Sequence, residues 1–379
     1  MTRACVPRAD VAGSATVRGA DVVRPFAGWL VRTEAAGDEV DAMSEVAAAV
    51  RSTPRAVRPD AYEPLPPALY VYRQTTLHGE HIGIVCDITP EAFLDGRVRG
   101  HESVQPDRVD ALARYLATVP QRVELVSTLH RAGPVVRATL ARALARPPIR
   151  EVDGPDGARH TVWRIPRGRQ SDELCRELGS ATHYIADGHH RVAASLKVWA
   201  RSGHDSRRGV LCVAYPLDGL RLASFDRRVV GPADTALVRG LLEAHFEVRP
   251  VAGAAQVSAS EIAVYLDRRW YAAICSTERP SGAAGLDVSL LHDRVLDRLP
   301  AGTAVELTRA PIEALVAACD ADGGVLFAPP PPPLETLIAI ADAGEAVPAK
   351  STFFSPKPGS GIFLRGPARP ASGAGPAAL

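Results

Sequence analysis

One stretch of the chain places an acid, a glycine, two imidazoles and a guanidinium in five consecutive positions, and it reads His183-Tyr184-Ile185-Ala186-Asp187-Gly188-His189-His190-Arg191-Val192-Ala193-Ala194-Ser195. Apolar residues precede this polar run and an alanine-rich segment follows it, a pattern typical of a strand that leads directly into a helix. The sequence therefore places Gly188 and the two histidines at the helix N-terminus. Backbone N–H groups and the helix dipole make such a terminus an anion site. Arg191 adds a planar fork suited to a phosphate, and the histidines are the side chains best placed to titrate near neutrality.

A simpler interpretation of the same residues needs no ligand. Asp187 would cap the helix, Gly188 would make the turn, and the histidines would be exposed polar residues. A cap requires only one polar residue, whereas this stretch changes abruptly from an apolar strand to a run of functional side chains. We therefore interpret this stretch as a binding or catalytic site.

Composition limits the class of protein. A chain of 379 residues with 46% hydrophobic and 23% charged residues can bury a sizeable core, in two domains or one large composite domain. Its 44 basic and 43 acidic residues leave a formal net charge of +1, so small molecules are more natural partners than nucleic acid or a membrane. The six cysteines form no CxxC pair or zinc-ligand spacing. Met1–Ala20 lacks the apolar run of a secretory signal, and no stretch approaches the ~20 apolar residues of a transmembrane helix. We expect a cytoplasmic protein.

Segments that favour strands alternate with segments that favour helices. The predicted strands are Ala68–Gln74, His81–Ile88, Val210–Tyr215, Ile262–Leu266, Trp270–Cys275 and Val325–Ala328. The predicted helices are Asp107–Val119, Gly133–Ala145, Ala233–His245, Ser289–Leu299 and Pro311–Cys319. This alternation indicates an α/β or mixed α+β architecture. Because only Asp267-Arg268-Arg269 separates two of the strands, they form a hairpin, which favours a mixed sheet over a doubly wound parallel one.

The ends of the chain and one internal proline run differ in composition from the rest. Residues 1–18 are predicted to form a flexible arm, and residues 367–379, rich in Pro, Gly and Ala, a disordered tail. The run Pro329–Pro333 is predicted to be a stiff connector to a helix that begins near Leu334, rather than a ligand for a proline-binding domain.

Two further clusters carry side chains suited to chemistry. Gly100-His101-Glu102-Ser103 places a histidine and a carboxylate on a loop before a helix, where Glu102 is either a general base or an ordinary polar loop residue. Lys350-Ser351-Thr352-Phe353-Phe354-Ser355-Pro356-Lys357 gathers two lysines and three hydroxyls around a pair of aromatic rings. This second cluster is either an anion-binding loop anchored by its phenylalanines or a solvated loop.

Four motifs occur in the order of a known family. They are Tyr70-Val71-Tyr72-Arg73-Gln74, His101-Glu102, Ala186-Asp187-Gly188-His189-His190-Arg191 and Lys350-Ser351-Thr352-Phe353-Phe354-Ser355-Pro356-Lys357. On these motifs the chain resembles, from about Val23 to Leu364, the prokaryotic family catalogued as domain of unknown function one thousand and fifteen. That name conveys no activity.

A more distant resemblance implies a chemistry. The stretch Asp187–Ala194 resembles the phosphate-binding box of the ParB/sulfiredoxin superfamily, whose members bind nucleotides and include kinases of free serine. The resemblance implies a ParB/sulfiredoxin-like nucleotide-binding catalytic domain over residues 19–232, an appended C-terminal α/β subdomain over residues 233–366 that contributes the Lys350–Lys357 loop, and ATP or ADP with Mg²⁺ as cofactors.

The same resemblance assigns roles to individual residues. The residues expected to hold nucleotide phosphates are Gly188, His189, His190 and Arg191. Phosphoryl transfer needs charge neutralisation, a bridging metal and a group that deprotonates the acceptor hydroxyl. Glu102 is the expected base with His101 beside it, and Asp187 is the expected Mg²⁺ ligand. The residues expected to bind the acceptor are Arg73, Lys350, Ser351, Thr352 and Lys357. The expected activity is phosphorylation of free serine or a similar small amino acid.

The chain departs from the family pattern at two places. A Pro-Pro-Tyr-Asp motif near the N-terminus corresponds to Glu39-Val40-Asp41-Ala42-Met43, so the acceptor of this chain can differ from that of typical members. Asp41 is the residue expected to preserve the carboxylate of that motif. A His-Arg pair corresponds to Arg227-Arg228, which replaces a titratable group by a permanent cation.

Two other classes of function fit the same box. A nucleotide-gated DNA-binding protein of the ParB type would need a basic stripe or a helix-turn-helix segment, and the arginines in residues 201–208 are weak support for one because the overall charge is balanced. A non-catalytic sensor of a nucleotide or phosphorylated metabolite would bind without turnover. An oligomer is compatible with all three classes.

Overall fold

A computed structural model describes residues 22–44, 58–118, 125–205 and 209–365. The predicted arm at residues 1–18 and tail at residues 367–379 lie outside these residues. The described residues divide into two compact units, which we call the large unit (22–99, 104–220 and 356–365) and the small unit (100–103 and 221–355). No helix among the described residues is long and apolar enough to cross a membrane.

The large unit is built on a mixed sheet with helices. Its strands are β1 (Val23–Arg24), β2 (Phe26–Val31), β3 (Tyr62–Thr76), β4 (Gly79–Ile88), β5 (Val98–Arg99), β6 (Val126–His130), β7 (Arg150–Asp153), β8 (Arg159–Pro166), β9 (His183–Asp187), β10 (Val210–Pro216) and, near the other end of the chain, β19 (Phe363–Leu364). Its helices are α1 (Ala36–Ser44), α2 (Glu91–Leu94), α3 (Pro106–Thr118), α4 (Pro134–Leu144), α5 (Arg169–Ser180) and α6 (His189–Arg201), with short 3-10 turns at Thr33–Ala35 and Pro59–Ala61.

The strand order of the large sheet is β19-β2-β3-β4-β10-β6-β9-β5. Strand β3 is long enough to pair with β2 along its first half and with β8 along its second half, while β4 lies on its other side. The pairs β6–β10 and β5–β9 are parallel and the others are antiparallel, so the sheet is mixed, as predicted. One face of the central strands packs with α4, α5 and α6 around apolar residues such as Val71, Ile84 and Ile185.

The segment 356–365 returns to the large unit after the chain has formed the small unit. The Tyr62 hydroxyl donates to the carbonyl of Gly361, at 3.0 Å, and the Gly359 N–H donates to the Tyr72 hydroxyl, also at 3.0 Å. The ring of Phe363 lies 5.4 Å from that of Tyr70. Aromatic side chains of β3 therefore fix a segment that is distant in sequence.

The small unit has a second sheet. Its strands are β11 (Arg221–Ala223), β12 (Asp226–Val229), β13 (Phe246–Val251), β14 (Ile262–Leu266), β15 (Arg269–Cys275), β16 (Val305–Thr308), β17 (Val325–Ala328) and β18 (Phe353–Ser355). Its helices are α7 (Thr235–His245), α8 (Asp287–Arg294), α9 (Ile312–Asp322) and α10 (Leu334–Ala343), with 3-10 turns at Ala254–Gln256, Gly282–Gly285 and Leu296–Arg298. The antiparallel order is β13-β15-β14-β17-β12-β16, and β11 pairs separately with β18.

Most of the predicted elements occur where the sequence places them. The hairpin β14–β15 turns at Asp267 and Arg268, which both adopt positive φ. The predicted helix Ser289–Leu299 is divided, because Val295 leaves the helical conformation between α8 and the following 3-10 turn. The two units divide at Leu220–Arg221 and at Ser355–Pro356, so the Lys350–Lys357 loop belongs partly to each, whereas the predicted boundary lies at 232–233.

One buried carboxylate ties three segments of the large unit together. Asp87 on β4 accepts a hydrogen bond from Nε of Arg24, at 3.0 Å, and another from Arg365, and only 5% of its side chain is exposed. Replacing it would leave two guanidinium groups without their counter-charge in a partly buried position, a change that is strongly destabilising.

We expect Asp87→Ala to lower the free energy of unfolding by about 3 kcal/mol. The matched control is Asp153→Ala, which removes an exposed ion pair with Arg159 and is expected to leave the free energy of unfolding almost unchanged. Urea unfolding followed by circular dichroism measures both, and equal losses in the two variants would contradict the role of Asp87.

Candidate functional site

The stretch from His183 to Ser195 forms the strand, the turn and the start of the helix that its sequence predicts. Strand β9 ends at Asp187, Gly188 adopts a φ of 108°, and α6 begins at His189. Gly188 is the N-cap residue and has no side chain that could accept a hydrogen bond from the first turn of the helix. The interpretation of Asp187 as a simple helix cap is therefore wrong.

A β-bulge decides where the Asp187 side chain points. Strand β6 pairs Thr128 with Ile185 but Ser127 with Asp187, so one extra residue lies in β9. Residues two apart share one side of a regular strand, so in an unbulged β9 Asp187 would lie on the core-facing side with Ile185. The bulge turns the carboxylate to the opposite face, which is the usual effect of an added residue on the strand that carries it.

Two cations bind the Asp187 carboxylate. Arg191 Nη2 donates to one oxygen and Lys357 Nζ donates to the other. Burial raises the pKa of this carboxyl group, but Arg191 and Lys357 outweigh burial and the net pKa is lowered. Asp187 is therefore ionised at neutral pH, and its charge holds together two side chains that lie far apart in sequence.

The Arg191 guanidinium is fixed at a second point. Its Nη1 donates to the carbonyl of Leu125, at 2.7 Å, just before β6 begins. A Cβ added at Gly188 would lie 3.2 Å from Arg191 Nε and 3.2 Å from a methyl carbon of Val126. Glycine is needed here both for its positive φ and for the close approach of the guanidinium.

The two histidines of the box differ in their surroundings. His189, the first residue of α6, is buried. His190 Nε2 accepts a hydrogen bond from the backbone N–H of Gln105, at 3.0 Å, immediately before α3. This bond requires an unprotonated Nε2, so in this arrangement His190 orders the start of α3. The predicted roles of both histidines in phosphate binding stay predictions.

The described residues do not fit a resident Mg²⁺ ion at Asp187. Both carboxylate oxygens are already bound by cations, and a magnesium site needs free oxygen ligands. Among the described residues, no group of three or more His, Cys, Asp or Glu side chains is arranged to hold a metal. We assign no step to a metal bound by Asp187.

The His101-Glu102 motif joins part of the Lys350–Lys357 motif within the small unit. Glu102 forms a parallel bridge with Val347, supported by hydrogen bonds of 2.8 Å from Val347 N–H to the His101 carbonyl and 3.2 Å from Ser103 N–H to the Val347 carbonyl. His101 Nε2 lies 3.0 Å from the Thr352 hydroxyl. Burial lowers the pKa of His101 to about 4, so it is neutral at pH 7.

The predicted acceptor-binding residues of the small unit are held by internal hydrogen bonds. Ser351 is fully buried and its hydroxyl donates to the Pro348 carbonyl, at 2.6 Å. Thr352 is also buried, next to His101. Lys350 adopts a φ of 62° and its carbonyl accepts a hydrogen bond from Arg227, at 3.0 Å. Their predicted contact with an acceptor stays a prediction.

The remaining predicted residues of the large unit lie in two places. Lys357 is part of the Asp187 site. Arg73, on β3, pairs with Glu80, at 3.1 Å, and its guanidinium lies 5.1 Å from the Trp163 ring centre. The structure therefore brings Lys357 to Asp187 and gives Arg73 an ion pair with a neighbouring strand.

In the segment Glu39–Met43, which departs from the family pattern, the structure describes only the side chains of Glu39 and Val40. Glu39 lies in α1, is buried and pairs with Arg58, at 2.7 Å. The side chains of residues 41–43 lie outside the described residues. Asp41 therefore stays a prediction as the retained carboxylate.

Sequence reasoning missed Ser127. Its side chain is buried, pairs across the sheet with Asp187, and makes no hydrogen bond to any described residue. A lone serine in an apolar strand gives no signal in the sequence, because its position opposite Asp187 depends on the pairing of β6 with β9.

Comparison with known proteins gives a family and distant structural likenesses. No curated protein matches the chain. Among solved structures the chain is similar to SbnI with a C-terminal truncation from Staphylococcus aureus, with 12% identity, coverage of 73% of this chain and 84% of that one, and a TM-score of 0.42. It is similar to a free serine kinase in complex with AMP, with 14% identity, coverage of 71% and 86%, and a TM-score of 0.38. It is also similar to a conserved hypothetical protein from Pyrococcus furiosus, with 12% identity, coverage of 72% and 90%, and a TM-score of 0.35.

No residue role follows from likenesses at these identities and scores. The family match is of a different kind, because it is a match of sequence. It covers residues 33–298 and does not reach the Lys350–Lys357 motif. Since these residues are more than half of the 379, the predicted membership is confirmed, and the chain belongs to the family described as protein of unknown function (DUF1015).

Proposed function

We propose that the chain binds ATP or ADP through its phosphates at the Asp187–Arg191 turn and transfers a phosphoryl group to the hydroxyl of free serine or a similar small amino acid. The observation that carries the proposal is the convergence of Arg191 and Lys357 on one carboxylate at the N-terminus of α6.

The charge of this site favours an anion. Two cations face a single carboxylate, and the helix N-terminus adds roughly half a positive charge. Phosphate oxygens would meet the backbone N–H groups of a helix N-terminus and two cationic side chains already oriented. Solvent reaches the cluster, because 48% of the Lys357 side chain and 23% of the Arg191 side chain are exposed.

Asp187 positions these cations for phosphate. It holds Arg191 and Lys357 in place without a ligand, and a phosphate oxygen competes with it for the more exposed Lys357 ammonium. Arg191 keeps its second contact, to the Leu125 carbonyl, during this exchange. Preorganised donors of this kind stabilise charge that develops on a transferred group.

Glu102 is the base in the proposed reaction. The acceptor hydroxyl loses its proton to the carboxylate, its oxygen bonds to the terminal phosphorus, and the bond from phosphorus to the bridging oxygen breaks with its electron pair on the departing nucleotide. Glu102 is supported in this role by the resemblance to the serine kinases and by the fixed backbone of its bridge with Val347. Neutral His101 suits a role in orienting its neighbours rather than in supplying a proton.

The direct test is incubation of the full chain with ATP or ADP, magnesium and a mixture of hydroxy amino acids, followed by mass spectrometry. The expected product is a phosphorylated amino acid. Binding of nucleotide without a product from any hydroxy amino acid would favour the sensor over the kinase. Absence of nucleotide binding would contradict the proposal as a whole.

Removing a cation from the site should weaken nucleotide binding. We expect Arg191→Gln and Lys357→Gln each to lower ATP affinity by about tenfold or more, the size typical of one lost charge-assisted hydrogen bond. Isothermal titration calorimetry measures the affinity. The matched control is Arg169→Gln, which removes an exposed arginine from the first turn of α5 and should bind as the wild type does. Unchanged affinity in both site variants would remove these residues from the nucleotide site.

Removing the base should affect turnover and leave binding intact. We expect Glu102→Gln to bind nucleotide normally and to form product about 100-fold more slowly, as is typical when a general base is lost. The control is Glu313→Gln, an exposed glutamate at the start of α9. Equal turnover of Glu102→Gln and the wild type would contradict the role of Glu102.

A further inference from the structure

Cations and aromatic rings form a compact cluster in the small unit, which we call the cation–aromatic patch and define as Phe225, Phe353, Lys350, Arg309 and Arg227. The two rings lie 5.5 Å apart and nearly perpendicular, at 88°. Lys350 Nζ lies 5.0 Å from the centre of the Phe225 ring, and the Arg309 guanidinium carbon lies 4.4 Å from the centre of the Phe353 ring. Both cations are exposed, so a solute can reach them.

The backbone beneath the patch is rigid. Strands β11 and β18 pair Ala223 with Phe353, and Arg309 Nη1 donates to the Ser224 carbonyl, at 2.6 Å. The Ser224 hydroxyl in turn donates to the carbonyl of Pro329, the first residue of the proline run. The exposed cations are therefore attached to a hydrogen-bonded backbone, which lowers the conformational entropy lost when they bind a ligand.

A buried charge is bonded to the backbone of the patch. Arg227 is 0% exposed and donates to the carbonyls of Phe225 and Lys350 and, at 3.5 Å, to His292 Nε2. Within the described residues it forms no ion pair with a carboxylate. Burial lowers its pKa to about 10, opposed by the nearby Asp226, so the guanidinium remains charged at neutral pH.

The patch has three cations, and the carboxyl group of Asp226 lies close to two of them, Arg309 and Arg227. Burial raises the pKa of this carboxyl group, and Arg309 and Arg227 only partly oppose that effect. Within the described residues, Arg309 also forms no ion pair with a carboxylate, and the Ser224 carbonyl takes one of the five N–H donors that a guanidinium offers. The three cations outnumber the carboxyl group of Asp226, so the field of the patch favours an anion.

We propose that the cation–aromatic patch binds the carboxylate of a small amino acid, with Arg309 and Lys350 in contact with it and Arg227 as a positioning residue that holds the Lys350 backbone. This assignment rests on the proposed function for the identity of the ligand, because the phosphoryl acceptor named there carries a carboxylate. A phosphate is also an anion that the patch attracts, and the experiment separates phosphate binding from carboxylate binding.

The test uses Arg309→Gln in the full chain, because Arg309 is exposed and the control below also loses an arginine bond to a backbone carbonyl. L-serine, L-threonine and inorganic phosphate are titrated separately by isothermal titration calorimetry. The expected result is amino-acid affinity at least about tenfold weaker than that of the wild type. The matched control is Arg298→Gln, an exposed arginine of the same unit that also donates to a backbone carbonyl but stacks on no ring, and it should bind as the wild type does.

Each outcome decides the proposal. Unchanged amino-acid affinity in Arg309→Gln, or no amino-acid binding to the wild type, overturns it. Loss of phosphate affinity alone in Arg309→Gln assigns the patch to a phosphate and overturns the carboxylate assignment. ATP affinity of the same proteins is measured in parallel, so failure of nucleotide binding at the Asp187 turn is distinguished from failure of the patch.

Discussion

The ion triad of Asp187, Arg191 and Lys357 is the interaction on which the large unit's site depends. Arg191 lies one helical turn from the carboxylate, while Lys357 arrives from a segment that follows the entire small unit. The carboxylate can receive both only because the bulge in β9 turns it away from the apolar face that Ile185 occupies. A regular strand would instead bury an ionised group in the core, at a cost of several kcal/mol. The bulge thus decides both the stability of the local structure and the chemistry that it presents.

The sequence predicts the elements of this site better than their contacts. A change from apolar residues to a polar run and then to alanines is a local pattern, and the strand, the turn at Gly188 and the helix occur as that pattern indicates. The bulge is invisible in the sequence, because it is defined by the pairing of Ser127 with Asp187 and not by either residue alone. The predicted Mg²⁺ contact at Asp187 did not allow for two cations that satisfy the same oxygens.

Long-range contacts also explain what sequence reasoning missed in the small unit. The His101-Glu102 and Lys350–Lys357 motifs were each predicted as functional loops, yet nothing in their composition indicates that His101 contacts Thr352. The loop also divides between the units, since Lys350 and Thr352 belong to one and Lys357 to the other. The return of segment 356–365 depends on Tyr62 and Tyr72 of β3, whose hydroxyl groups bind backbone that is far away in sequence.

Arg227 stands where the family resemblance implies a histidine, and its burial gives this difference a physical consequence. A histidine in a buried site loses its proton, as His101 does, and then carries no charge at neutral pH. An arginine at the same place keeps its charge even when burial lowers its pKa to about 10. Relative to the histidine that the family resemblance implies, Arg227 therefore adds a positive charge next to the Phe225 carbonyl at every physiological pH. The large unit neutralises part of its positive charge with Asp187, whereas Arg227 is held by neutral carbonyl groups and a histidine. Because Arg227 is fully buried, an anion in solution meets its field but not its N–H groups, which stay bonded to the backbone.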